Sequence, residues 1–218
     1  LNDSSPLSLV VLISGSGSNL QAIIDAIESG QLNASIAAVV SNRPQAFGLE
    51  RARKHGIEAV ALDHAEYPSR EDFDNRLREE ISRFKPDIIV LAGYMRILSE
   101  SFIQHFFPTM LNIHPSLLPK YPGLNTHQRA LQAGDPIHGI SIHVVTPELD
   151  AGPVILQGHF PVEAGDDAHS LQQKGHALEH KMYPLVLQWL TEKRLVLTNG
   201  LPVFDNHPLS HPVSFNDL

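Results

Sequence analysis

The sequence predicts an α/β domain in which a mostly parallel sheet carries helices on both faces and is extended by late strands. Short apolar runs alternate with segments whose apolar residues recur at helical spacing, the pattern of parallel strands joined by crossover helices. Ile88 to Ala92 is also apolar without interruption, as a strand covered on both faces must be.

Leu7 to Ile13 is an apolar run that ends in Ser14-Gly15-Ser16-Gly17-Ser18-Asn19, after which Leu20, Ile23, Ile24 and Ile27 recur at helical spacing. Strand, loop and helix follow from that order. The pattern repeats with Ile36 to Val40 before Phe47 to Lys54, and with Val60 to Leu62 before a helix through Phe73, Leu77 and Ile81. Pro86-Asp87 introduces the strand Ile88 to Ala92, which stops at Gly93. Ser99 is a natural N-cap for a helix reaching Phe107, and Met110 to Ile113 reads as a strand leading into His114-Pro115 and a proline-rich loop to Gly123. A helix over about Thr126 to Ala133 comes next. Ile140 to Val145 and Val154 to Gln157 then flank a Pro- and Gly-bounded loop, so two late strands meet there. Leu171 to Leu190 is helical. Residues 1–198 are expected to form the domain, and 199–218, rich in Pro, Asn and His without periodicity, a C-terminal tail.

Composition narrows the function. With no cysteine, disulfides, thiolate metal sites and cysteine nucleophiles are excluded. A net charge of −8 opposes broad attraction to nucleic acid phosphates. No apolar run approaches the roughly 20 residues of a membrane-spanning helix. The opening Leu-Asn-Asp-Ser-Ser-Pro lacks the basic start of a secretory leader, so a cytoplasmic protein is expected.

Gly15 to Asn19 joins a strand to a helix, where backbone N–H groups and the helix dipole favour an anion such as phosphate; a plain tight turn is the alternative. Leu20 stands where a dinucleotide fingerprint would have its third glycine, and no Gly-Lys-Ser/Thr of a P-loop follows. On the strand ending at His114, period-two alternation sends Asn112 and His114 to one face and Ile113 to the other, as catalytic groups or as a satisfied buried pair. Ligands in open α/β sheets collect beyond the carboxyl ends of strands, and the Gly15 loop, the Gly93 to Arg96 turn and His114 all lie at such ends. Asp150 sits in a turn-forming loop, able to cap the turn or to pair with a histidine. His176, Glu179 and His180 match the H-x-x-E-H zinc-peptidase spacing, but among 13 histidines such spacing arises by chance, so no metal is expected.

Four segments together resemble the folate-dependent phosphoribosylglycinamide formyltransferases: Val11 to Leu20, Ala92 to Leu98, Leu111 to Gly123 and Leu149 to Pro153. The resemblance spans nearly all of residues 8–198 and implies a Rossmann-like formyltransferase fold. It implies that Gly17, Ser18 and Asn19 hold the substrate phosphate and that Glu179 contacts the glycinamide part. Arg70, Met95, Arg96, Ile97 and Leu98 would border the folate, and Pro147, Glu148, Leu149, Asp150, Ala151 and Gly152 would enclose its pterin. Asn112, His114 and Asp150 would form the catalytic set, with Asn112 and Asp150 also facing the folate. Pro147 departs from the acidic or small apolar residue common in the family.

The implied reaction moves a formyl group from 10-formyltetrahydrofolate, a cosubstrate, to the amine of phosphoribosylglycinamide in purine biosynthesis, without a metal. Small-molecule substrates are the expected partners, with nucleic acid and membrane excluded and a homodimer left open. Rivals are another 10-formyltetrahydrofolate-dependent formyltransferase or hydrolase, whose usual additional domain finds no room here, and a noncatalytic nucleotide-binding module.

Overall fold

The computed structural model describes residues 5–218; the first four residues of the opening segment weighed above as a leader lie outside the described residues. The chain begins β1 (Leu7–Ile13), α1 (Ser18–Glu28), β2 (Ala34–Ser41), α2 (Phe47–Lys54), β3 (Ala59–Ala61), α3 (Arg70–Phe84) and β4 (Ile88–Leu91). It continues through α4 (Glu100–Phe106), β5 (Met110–His114), α5 (Thr126–Ala133), β6 (Ile137–Val144), β7 (Val154–Pro161) and α6 (Ala168–Thr191). Four short strands follow: β8 (Leu195–Thr198), β9 (Leu201–Phe204), β10 (His207–Pro208) and β11 (Val213–Ser214).

The main sheet has eight strands in the order β11-β7-β6-β5-β4-β1-β2-β3. β1 to β5 pair in parallel, whereas β6 is antiparallel to both β5 and β7. The order reverses between β1 and β4, which opens a crevice beyond their carboxyl ends.

Period-two alternation divides the core into two layers. Leu9, Val11 and Ile13 of β1, with Ile88 and Val90 of β4, pack under α1, α2 and α6. Val10 and Leu12, with Ile89 and Leu91, pack under Phe73, Leu77 and Ile81 of α3 and Phe102 and Ile103 of α4. Each such side chain contributes roughly 1.5–3 kcal/mol by leaving water. On β5, Leu111 and Ile113 join the first layer and Met110 the second, so Asn112 and His114 share the Met110 face. Tyr183 of α6 is wholly buried, its hydroxyl 3.0 Å from the carbonyls of both Leu91 and Leu111, where it ties the ends of β4 and β5 together.

Helix starts follow their caps. Ser69 accepts from Asp72 N–H at α3, Ser99 from Phe102 N–H at α4, and Asp167 from Ser170 N–H at α6 within a capping box.

Residues 199–218, expected as a tail, carry secondary structure. β8, β9 and β10 form an antiparallel sheet, and β11 pairs in parallel with the outer edge of β7. Phe204 stacks on Trp189 at 4.5 Å and lies under the Arg194 guanidinium, while Leu209, Val213 and Phe215 pack against the first core layer. Strands of two to four residues separated by positive-φ turns at Asn199, Gly200, Asp205 and Asn206 are too short to show periodicity.

Candidate active site

The loop after β1 is shaped by glycine. Gly17 caps α1 with φ 70°, and a Cβ there would lie 2.7 Å from the Gly48 Cα, so neither the backbone angle nor the space admits a side chain. Gly48 N–H holds the Gly15 carbonyl and Arg51 Nε–H holds that of Ser16, which fixes the loop while the first-turn N–H groups of α1 have no intrahelical acceptor. Gly17→Val is expected to raise KM for a phosphorylated substrate by more than about tenfold while leaving that for the other substrate within about twofold, as steady-state kinetics would read; equal damage to both would remove the phosphate cradle.

From that first turn Asn19 donates to Glu179 of α6 at 2.8 Å. Burial pushes the Glu179 carboxyl up, against the opposing pull of the Asn19 bond and His176. The Asn19 Oδ1 is buried without a partner, an acceptor free for an N–H of a ligand. Gly15 to Asn19, Met95, His176 and Glu179 line a cavity of about 310 Å³, and Ile113 and Pro115, the chain neighbours of His114, complete its wall. A larger cavity of about 550 Å³ lies between α1, α2 and α6; it shares only Ser18 with the smaller one and contains none of Asn112, His114, Asp150 or Glu179, so size alone does not mark the site. The rings of His176 and His180 stack 6.1 Å apart, with the intervening Glu179 turned to Asn19.

The antiparallel register of β5 and β6 sets Asn112 opposite His143 and His114 opposite Ser141. Asp150, in the β6–β7 loop, joins this group from below: its Oδ2 lies 3.4 Å from His114 Nδ1 and its Oδ1 3.7 Å from His143 Nε2. Its backbone is left-handed, φ 52°, which aspartate tolerates better than most residues, and its Oδ2 accepts from Gly123 N–H at 2.8 Å. Gly152 is required two residues later, because a Cβ would sit 1.8 Å from the Val144 carbonyl.

His114 faces an acceptor on each side, since its Nε2 lies 2.8 Å from the Tyr121 carbonyl and its Nδ1 faces Asp150. His143 behaves differently. Burial lowers its pKa, its Nδ1–H is assigned to the Val144 carbonyl at 3.0 Å, and its Nε2 then accepts from the Asn112 amide at 3.2 Å. That contact orients Asn112 and leaves its second N–H for a ligand. The sequence reading missed His143, although Ser141 and His143 alternate on β6 as Asn112 and His114 do on β5.

The turn after β4 forms another wall. Met95 N–H donates to the Ser14 hydroxyl at 2.8 Å, and Met95 and Ile97 are 60% and 57% exposed while Leu98 is buried. The Arg96 guanidinium lies 4.7 Å over the Phe73 ring. Arg70 stands exposed at the start of α3, and among the described residues no hydrogen bond or ion pair ties it to Asn112, His114 or Asp150. Pro147, Glu148 and Leu149 are exposed on the loop that leads to Asp150, followed by Ala151, whose N–H closes a turn on the Glu148 carbonyl.

His127 of α5, which also lines the smaller cavity, and His138 of β6 share one hydrogen across 3.0 Å. Burial, then His138, His176 and His114, lower the His127 pKa to about 4, and burial lowers that of His138. Imidazoles held neutral in the fold but titrating near 6.5 when unfolded contribute stability that is complete above about pH 6.5 and is lost as pH falls toward 4. Tm should therefore drop more steeply between those values in the native chain than in His127→Gln, and parallel curves would show that the pair contributes nothing.

The chain matches the formyl transferase family over residues 7–187. It is 50% identical to the phosphoribosylglycinamide formyltransferase of Escherichia coli over 93% of its length and 96% of that protein, and 43% identical to the Haemophilus influenzae protein of the same name over 92% and 95%. The solved structure of the Coxiella burnetii phosphoribosylglycinamide formyltransferase superposes with a TM-score of 0.90 at 50% identity, covering 95% of this chain and 99% of that one. By its sequence, its sheet order and the family match across both core layers, the chain belongs to the formyl transferase family.

Proposed function

We propose that the protein transfers a formyl group from 10-formyltetrahydrofolate to the amine of phosphoribosylglycinamide, a step of purine biosynthesis. The observation that supports this reading is the approach of Asp150 to His114 at 3.4 Å, with the chain neighbours of His114, Ile113 and Pro115, lining the same cavity as Ser18, Asn19 and Glu179. The first-turn N–H groups of α1 would receive the ribosyl phosphate, and Asn19 Oδ1 with Glu179 would accept from the glycinamide nitrogens. Met95, Ile97 and Leu149, apolar yet exposed, offer flat surface for the folate ring system.

The chemistry asks for little more. Attack of the amine on the formyl carbon places negative charge on the formyl oxygen, and donors fixed in advance stabilise it. Asn112 and His114 are those donors. For His114 to serve, its Nε2–H must exchange the Tyr121 carbonyl for the oxyanion, or its Nδ1–H must leave Asp150. The attacking amine loses a proton and the folate nitrogen gains one as the C–N bond to the formyl group breaks; Asp150, directly or through water, is placed to carry it.

In this reading the protein works in the cytoplasm on small molecules, without a metal. Among the described residues no helix is long and apolar enough to cross a membrane. Incubating the protein with 10-formyltetrahydrofolate and phosphoribosylglycinamide, and following loss of the folate formyl group, tests donor and acceptor together. Formyl loss that does not require the acceptor would mark a hydrolase instead.

A further inference from the structure

We infer that Asp74, in the interior of α3 and far from the reacting groups in sequence, is a positioning residue for the wall Met95 to Leu98, and through that wall for the formyl donor; this rests on the function proposed above. Asp74 is 2% exposed, and among the described residues no ion pair balances its carboxylate. A buried carboxylate with one hydrogen bond is costly, and such a group persists where it fixes something in place.

What Asp74 fixes is the end of the turn. Its Oδ2 accepts from the Ser99 N–H at 2.6 Å, at the residue that caps α4. The opposite end is held by Ser14, whose hydroxyl accepts from Met95 N–H and donates to Asn42 Oδ1. Between the two anchors the chain displays Met95 and Ile97 outward and buries Tyr94 and Leu98 beside Phe73, Leu77 and Val145. The same core layer thus supports both this turn and the start of the loop that carries Asp150.

Three polar atoms of the cluster are buried without a hydrogen-bond partner among the described residues. Asp74 Oδ1 is a buried acceptor, and Tyr94 O–H and Arg96 Nε–H are buried donors, none with a protein partner. Burial, reinforced by the negative Asp74, holds the Tyr94 hydroxyl in its neutral, donating form. The Arg96 guanidinium lies 4.7 Å over the ring of Phe73, the residue next to Asp74. Removing Asp74 frees Ser99 N–H, which loosens one end of the wall and leaves the Ser14 end and the phosphate loop in place.

The test combines kinetics with hydrogen exchange. In Asp74→Ala, KM for 10-formyltetrahydrofolate should rise about tenfold or more, with KM for phosphoribosylglycinamide within about twofold and kcat reduced less than about threefold. Asp74→Asn keeps the shape and an acceptor for Ser99 N–H, so it should fold even where the alanine variant does not and show a smaller rise of the same kind. In the free protein, exchange at the amides of residues 95–99 should quicken about tenfold in Asp74→Asn while those of residues 19–24 stay unchanged, a readout independent of which reaction the enzyme performs. Unchanged exchange at 95–99, or a rise in both KM values together, would overturn the assignment. Absence of formyl transfer by the native protein would instead refute the proposed function and leave the exchange test standing.

Discussion

His114→Ala is expected to lower turnover by about 10²- to 10³-fold, the usual effect of deleting one donor aimed at a developing oxyanion. KM for either substrate should change much less, because the charge that His114 meets exists only in the transition state. Removing a 5% exposed ring also leaves a hole next to Asp150 and Tyr121, so the variant loses stability as well. Activity must therefore be expressed per folded molecule, with circular dichroism and a Tm recorded in parallel. A folded His114→Ala enzyme with native turnover would end the mechanism and return His114 to a packing role.

Asp150→Asn is expected to lower turnover by at least about 10²-fold near neutral pH with less effect on binding. The substitution preserves size, tolerance of φ 52° and an oxygen for Gly123 N–H, so the loop should keep its course. It changes what the histidines see. A carboxylate offers His114 Nδ1 a charged acceptor, whereas the asparagine amide offers at most a neutral one. It also removes the carboxylate proposed to carry the reacting proton. The measurement is kcat and KM over pH 5 to 9 for native and variant enzymes, with Tm as the control. If turnover survives and only stability falls, Asp150 is a turn-former for Gly123.

Much of this arrangement was legible in the chain. The apolar run Leu7 to Ile13 followed by Gly15 to Asn19 could hardly be read otherwise than as a strand, a loop and a helix start, and the structure has all three in that order. Alternation at Asn112 and His114 gave the shared face before any coordinates. The pairing of Asp150 with His114 could not be read from spacing, because 35 residues of loop, helix and strand separate them and only the β5–β6 register brings them together. His143 escaped for the same reason: its polar alternation was visible, but its place opposite Asn112 depends on an antiparallel strand pair that no local signal specifies. Tyr121 enters through its backbone carbonyl, which carries no sequence signal. Asp74 looks on paper like one more charge on a polar helix, and only burial distinguishes it. The final twenty residues failed by length, since a two-residue strand has no period to detect.

The two-residue strand β11 has a consequence for how the molecule keeps to itself. β7 would otherwise end the sheet on that side with a row of open N–H and C=O groups, a template for strands of other chains. Val213 and Ser214 occupy part of that row, and Asn216 continues it with a side chain that imitates a peptide, accepting from His159 N–H at 2.8 Å and donating to the His159 carbonyl at 3.0 Å. The opposite border needs less cover, because β3 is only three residues long. The last few residues thus act as a selvedge: they add little area to the sheet, but they keep its long side from fraying into the next molecule.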